Sequence, residues 1–248
     1  MVWLALVLPA ALQDTALAAP KDSPALTAQQ MREDLVYLRD VWAPMDRSFG
    51  PEQRAQFNAI VSDAMARVDA MSPADFSLEI CRAVAISGNG HTEAELGPYF
   101  HGLPFKAAWF SDGLYIVRTH PSYSTLLGAR IDRFGKISAE EALKRVSPFI
   151  SGTPEHIRVI SPAYLRLLEL LQRIGASSSA GRATLVLTLR SGEHRSLVLG
   201  EEPSHDPEGL PPYQQLIRLE GDGDPLGRWP QLLDSLANVP PPTNDAPI

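Results

Sequence analysis

The chain has 248 residues, of which 44% are hydrophobic and 21% charged, a composition typical of a globular protein with its own core. A net charge of −7 and the lack of a basic patch argue against nucleic acid as a partner. No apolar run reaches the roughly 18 residues that a membrane-spanning helix requires, so no membrane span is predicted.

The N-terminal residues are typical of a targeting segment. Residues 2–12 form an apolar run, and the small residues Ala16-Leu17-Ala18-Ala19 that follow resemble a cleavage site. No basic residue precedes the run, because Lys21 is the first in the chain. Two interpretations remain open: a truncated-looking signal peptide over residues 1–19, which we favour, or an uncleaved apolar arm. The first predicts an exported protein, periplasmic or extracellular.

Three consecutive amphipathic helices are predicted after this segment. Thr27-Ala-Gln-Gln30 is a capping box, Pro51 begins a second helix, and Ser72-Pro73 supplies an N-cap and an N1 proline for a third, which runs to about Ile86. Apolar residues recur at helical spacing in each of them. Short joints between the helices therefore predict a three-helix bundle over residues 27–87.

The pattern changes to short alternating runs after the turn cluster Ser87-Gly88-Asn89-Gly90. These runs predict strands at Glu93–Leu96, Lys106–Phe110, Leu114–Arg118, Ala129–Phe134, Ala183–Leu189 and Arg195–Leu199. Caps and prolines predict helices after Ser138, from Pro154 to Ile160, and from Ser161-Pro162 to about Ile174. The fold class is therefore α+β, with a mixed helix and strand segment over residues 88–200.

The composition shifts again in the last 48 residues. Residues 201–248 hold ten of the 22 prolines, with nine acidic and two basic side chains. These features predict an extended, proline-rich acidic linker, in which Trp229, Leu232, Leu233 and Leu236 form at most one docked helical turn.

The most distinctive local motif is Gly88-Asn89-Gly90-His91-Thr92, at the junction between the helices and the strands. Glycines on both sides of an asparagine allow positive φ and close backbone approach. They place a half-exposed histidine at the rim of the turn, and Thr92 can hydrogen-bond the local backbone.

The order of these elements resembles the tail-specific, or C-terminal-processing, serine peptidase family, in its tricorn-like and retinoid-binding-protein-like branches. The resemblance rests on the helices, the Gly-His-Thr turn, the hairpin strand Gly113-Leu-Tyr-Ile-Val117, and the stretch Gly128–Lys136 with the helix Glu140–Val146 after it. It covers about residues 28–200. It implies that residues 88–200 form a PDZ-like segment.

The resemblance also implies a chemistry. His91 matches the family's general base, which activates a serine by accepting its proton. The serine-bearing domain is expected beyond residue 248, so the chain alone is predicted to cut no peptide or protein substrate. Asn89 stands where the family usually has aspartate, and the amide either orients the histidine less well or only caps the turn.

Two other interpretations of the whole chain remain open: a non-catalytic module that binds peptides or an apolar ligand, and a fragment without activity. No cofactor or metal is predicted, because His91, Glu93, Glu95 and His101 lack a metal-binding spacing. Cys81 is predicted to be an inert buried thiol. The hairpin aromatics Phe105, Trp109, Phe110 and Tyr115 are expected in the core or, alternatively, along a peptide groove. The oligomeric state cannot be predicted.

Overall fold

A computed structural model describes residues 26–94, 96, 99–179 and 181–201. The predicted signal peptide and almost all of the predicted linker, including its Trp229–Leu236 turn, lie outside the described residues. Within the described ranges the protein combines seven α-helices with a six-stranded antiparallel sheet. No helix of this part has both the length and the apolar character needed to cross a membrane.

The helices begin at the predicted caps. Thr27 forms the expected capping box with Gln30, and Ser72 accepts a hydrogen bond from the Asp75 amide ahead of Pro73. The helices are α1 (Ala28–Tyr37), α2 (Ala43–Met45), α3 (Pro51–Arg67), α4 (Pro73–Ala85), α5 (Ala139–Val146), α6 (Pro154–Tyr164) and α7 (Leu168–Arg173). A π-helical turn, Leu38–Trp42, joins α1 to α2.

The sheet is built from neighbouring antiparallel strands. The strands are β1 (Phe105–Phe110), β2 (Gly113–Thr119), β3 (Arg130–Phe134), β4 (Ile137–Ser138), β5 (Arg182–Thr188) and β6 (His194–Gly200). Their order is β1-β2-β3-β5-β6, and β4 also pairs with β3. Alternate residues of β5, namely Ala183, Leu185 and Leu187, are buried, which fixes one face of the sheet toward the core.

Two clusters of buried apolar residues organise the molecule. One includes Met31, Phe57 and Phe76 from α1, α3 and α4, and the other lies between the sheet and helices α5 to α7. Helix α4 contributes to both, since Leu78 and Cys81 belong to the second. The division into a bundle and a PDZ-like segment stays a prediction.

Two predicted elements differ from the structure. Pro162 lies inside α6 and does not begin a separate helix. Proline has no N–H to donate to the carbonyl four residues earlier, Arg158, and the buried Ser161 hydroxyl donates to that carbonyl instead, at 3.0 Å. The expected strand at Glu93–Leu96 is also wrong, because its described residues lie in no strand and Ala94 and Leu96 pack against the core cluster.

A buried carboxylate links three helices. Glu79 on α4 is 1% exposed, and it forms ion pairs with Arg67 of α3 and Arg82 of α4, both at 3.3 Å, and with Arg173 of α7. A carboxylate that loses its hydration requires such partners. The three guanidinium groups therefore make this charge tolerable and tie α7 to the N-terminal helices.

We expect Glu79→Gln to lower the free energy of unfolding by about 2 kcal/mol, because three clustered arginines would lose their common counter-charge. This figure lies below that for a fully buried pair, since the arginine side chains are 34 to 41% exposed and water solvates them in part. Urea denaturation measures the change. Glu193→Gln, which removes an exposed partner of Arg195, serves as the control and should alter stability by less than about 0.5 kcal/mol. Equal effects of the two substitutions would contradict this role of Glu79.

Candidate functional site

The turn after α4 is organised by the side chain of Asn89. Its Oδ1 accepts the backbone N–H of His91 at 3.1 Å, and its Nδ2 donates to the Ser48 hydroxyl at 2.9 Å and the Thr92 hydroxyl at 3.1 Å. A backbone N–H can only donate, so this contact fixes which end of the amide faces His91. Asn89 therefore caps the turn and joins it to the loop before α3, and none of its hydrogen bonds to described residues goes to the imidazole.

The two glycines of the turn serve different purposes. Gly88 has φ = +64°, a left-handed conformation that favours glycine. At Gly90 a Cβ would lie 3.3 Å from the His156 ring, and at Gly152 it would lie 2.7 Å from the same ring. Gly88 thus has the predicted positive φ, and Gly90 allows the predicted close approach. The group that approaches Gly90 is the ring of His156.

Two buried serines anchor the backbone of the turn. The Ser151 hydroxyl lies 2.8 Å from the Asn89 carbonyl and 2.9 Å from the Ser87 hydroxyl, and the Asn89 N–H donates to Ser87 Oγ at 3.3 Å. The carbonyl can only accept, so Ser151 donates its single proton there and accepts from Ser87. Both hydroxyl protons are committed and both side chains are buried, so neither serine is placed as a nucleophile.

The side chain of His91 is exposed at the rim of this fixed turn. In the described part of the chain, its ring forms no hydrogen bond or ion pair, and only its backbone N–H is held, by Asn89. The ring can therefore accept a proton from a group that approaches from solvent. No serine, threonine or cysteine among these residues hydrogen-bonds to it.

An open groove of about 510 Å³ lies beside the turn. It is lined by residues from two segments, Trp42, Met45, Asp46, Arg47, Ser48, Asn89 and Thr92. His91 lies between two of these residues in the chain. A volume of this size falls within the range of about 300–1,000 Å³ that is usual for ligand sites. The groove and the exposed imidazole form the candidate site.

His101, one of the four residues that the sequence analysis considered for a metal site, takes part in an ion-pair network. Its Nδ1 lies 2.5 Å from Glu169 Oε1 on α7, and its Nε2 lies 3.6 Å from Glu201 Oε1 after β6. The hydrogen bond to Glu169 raises the pKa of His101, partial burial lowers it, and the charges of both carboxylates raise it further. The described residues contain no group of three or more acidic, histidine or cysteine side chains suited to a metal ion.

Cys81 and the hairpin aromatics have structural roles. Burial raises the pKa of the Cys81 thiol to about 12, and its Sγ donates to the Ala94 carbonyl at 3.6 Å, which confirms an inert thiol. Phe105 is buried in the core, and Trp109 donates its Nε1–H to Ser161 at 2.9 Å. Phe110 is 44% exposed, and its ring packs edge-on against Tyr115. None of these aromatics lines the groove.

Sequence reasoning missed the residues that hold the turn from a distance. Ser48 lies 41 residues before Asn89, while Ser151 lies 62 residues after it. His156 is the third residue of α6, and its Nε2 is buried without a hydrogen-bond partner among the described residues. A serine in a loop carries no local signal of such contacts. The glycine next to Ser151 is a weak signal, and the structure shows that Gly152 has a positive φ.

Comparison with known proteins shows a distant likeness of fold. The chain is similar to mature CPAF complexed with lactacystin, with a TM-score of 0.50 and 15% identity over 84% of this chain and 39% of that one. A CPAF serine-to-alanine mutant and mature CPAF give TM-scores of 0.47 and 0.44, at 14% and 12% identity, each over 70% of this chain and 34% of theirs.

CPAF is a chlamydial serine protease, so the fold is distantly protease-like. The chain spans less than two fifths of the length of the CPAF chains it matches. No family model matches the sequence, and no curated protein matches it.

We expect Asn89→Ala to lower the free energy of unfolding by about 1–2 kcal/mol, because the His91 N–H, the Ser48 hydroxyl and the Thr92 hydroxyl lose their common partner. Asn89→Asp should stay close to the wild type, since a carboxylate accepts the same N–H and both hydroxyls can rotate to donate to it. Urea denaturation of both variants measures the difference. A loss for Asp as large as that for Ala would show that the amide Nδ2–H bonds are essential.

The raised pKa of His101 predicts a pH-dependent stability. The ordinary pKa of histidine is about 6.5, so above that pH the folded protein binds more protons than the unfolded chain. The stabilisation is complete below about pH 6.5 and is lost as the pH rises through the raised pKa of the folded state. His101→Gln should therefore reduce the fall in Tm across this interval, measured by calorimetry. His194→Gln is the control, and an unchanged pH profile in His101→Gln would contradict the prediction.

Proposed function

We propose that this chain supplies the histidine-bearing part of a serine endopeptidase, with His91 as the general base. The observation that carries the proposal is the exposed ring of His91, which has no partner in the described part of the chain, on a turn whose backbone is fixed from several sides. Ser87, Asn89 and Ser151 hold that turn through five hydrogen bonds. A base of this kind requires a fixed backbone and a ring nitrogen that is not already hydrogen-bonded. The described residues meet both requirements.

The proposed chemistry is hydrolysis of a peptide bond. A serine hydroxyl is a weak nucleophile at neutral pH, and a ring nitrogen of His91 would accept its proton as the oxygen attacks the carbonyl carbon. The same nitrogen would then donate that proton to the leaving amine. The nucleophile and the oxyanion-stabilising donors would come from residues outside the described part of the chain.

Three further features belong to the proposal. The protease-like fold supports assignment to the tail-specific peptidase family, although at 15% identity the likeness is one of fold alone. The helices that precede the turn would form the family's bundle, and the antiparallel sheet with α5 its PDZ-like element. The apolar run and small residues before Pro20 support export to the periplasm or the cell exterior.

A second candidate function is a non-catalytic binding module. The groove favours it, because Trp42 and Met45 provide apolar surface beside the polar side chains of Ser48, Asn89 and Thr92. Such a module would bind a peptide or an apolar ligand without cutting it. The two functions differ in one measurable respect, which is whether His91 is needed for hydrolysis once a serine-bearing partner is present.

The test is reconstitution of activity. We expect the purified 248-residue chain alone to leave fluorescein-labelled casein intact, and the chain mixed with a serine-bearing domain of a tail-specific peptidase to hydrolyse it. In that mixture His91→Ala should reduce the catalysed rate by about 10⁶-fold, as loss of a triad histidine does. His194→Ala, which changes a histidine on β6, is the matched control and should retain activity.

Hydrolysis that persists in the His91→Ala mixture would exclude His91 as the base. A mixture without hydrolysis in which the chain still binds peptide would favour the binding module. Circular dichroism of each variant ensures that a loss of activity does not reflect unfolding.

A further inference from the structure

An exposed apolar row leads along the first helix into the groove. Tyr37, Val41 and Met45 are 59%, 43% and 76% exposed, and they lie four residues apart across α1, the π-helical turn and α2. Residues at this spacing share one helix face. Met45 also lines the groove, so the row and the groove form one continuous surface with Trp42 at its edge.

The groove also holds an arginine whose guanidinium group has no partner among the described residues. Arg47 is exposed and forms no hydrogen bond or ion pair with any residue that the structure describes. In the neighbouring Asp46, Oδ1 accepts the Ser48 N–H at 2.7 Å. Arg54 lies on the other side and donates to the backbone carbonyls of Ala43 and Asp46, at 2.6 and 3.4 Å.

We propose that this groove binds an internal peptide segment that carries an aspartate or glutamate next to large apolar side chains. The carboxylate would pair with Arg47, and the apolar side chains would cover Met45, Val41 and Tyr37. The choice of an internal segment rests on the proposed function, because a peptide bond cut at His91 must have chain on both sides of it. The groove is open to solvent along its length, which suits a chain that continues past it.

The polar side chains in the groove add direction to this binding. The Ser48 and Thr92 hydroxyls each accept a hydrogen bond from Asn89 Nδ2, so their own protons remain available to peptide carbonyls. A peptide in the groove would therefore meet apolar surface, a cation and two hydrogen-bond donors. Thr92 is the residue next to His91, so such a peptide would reach the proposed base.

The experiment measures fluorescence anisotropy with a labelled hexapeptide, alanine–leucine–glutamate–phenylalanine–leucine–alanine, blocked as an amide at its C-terminus. A second peptide has glutamine in place of glutamate, and a third has glutamine and a free C-terminal carboxylate. We expect the glutamine amide to bind the full chain about tenfold more weakly, the worth of one charge-assisted hydrogen bond. Arg47→Gln should weaken the glutamate peptide to that level and leave the glutamine amide unchanged.

Matched variants separate the two halves of the groove. Met45→Ser should weaken the glutamate and glutamine amides by the same factor of several-fold, because it removes apolar contact alone. Arg195→Gln and Val198→Ser, which change an exposed arginine and an exposed valine on β6, should leave binding unchanged. The proposal is overturned if Arg47→Gln weakens both amides equally, if the free carboxylate peptide binds best, or if no peptide binds.

These outcomes are independent of hydrolysis. Charge-dependent binding without reconstituted hydrolysis would support the groove and reject the peptidase. Reconstituted hydrolysis without charge-dependent binding would support the peptidase and reject the groove.

Discussion

The structure depends on the buried carboxylate of Glu79. Removing this group from water costs several kcal/mol, and the cost is offset only if cations replace the lost hydration. The cations come from α3, α4 and α7, so the charge is satisfied in one arrangement of these helices. Helix α4 is held at its middle in this way, and the turn that carries His91 begins where α4 ends.

The turn itself is fixed by the two parts of the molecule between which it lies. Ser48 reaches it from the segment before α3, and Ser151 reaches it from the segment before α6. The apolar packing also joins the two parts, because α4 contributes Phe76 to one apolar cluster and Leu78 to the other. The backbone of His91 is held by Asn89, while its imidazole has no hydrogen-bond or ion-pair partner among the described residues.

Most helices and strands of this fold could be predicted from local signals. Capping residues fixed the starts of α1, α4 and α5, and alternation identified β1, β2, β3 and both strands of the last hairpin. The failures arose where contacts within the folded chain overrode the pattern that the sequence showed. Ser161-Pro162 looks like a helix start, but the serine hydroxyl replaces the hydrogen bond that the proline removes, so α6 continues.

The site was predictable only in part, for the same reason. The turn and its histidine stand out in the sequence, and glycine chemistry explains both glycines. Ser48, Ser151, His156 and Arg47 do not stand out, because their roles depend on segments that meet only in the folded chain. Asn89 was ambiguous between orienting the histidine and capping the turn, and its contacts with backbone and hydroxyl groups assign it to capping.

The reactivity of the single cysteine can be used to measure how cooperatively the chain unfolds. Thiol reagents react with the thiolate, and a pKa of about 12 leaves almost none of it in the folded protein at neutral pH. Cys81 lies on α4, the helix that both apolar clusters share, and its sulfur contacts the carbonyl of Ala94, just beyond the His91 turn. Alkylation of this residue is therefore confined to molecules in which α4 has separated from the sheet. Its rate at a given temperature measures how often the two parts of the protein come apart, with no engineered label.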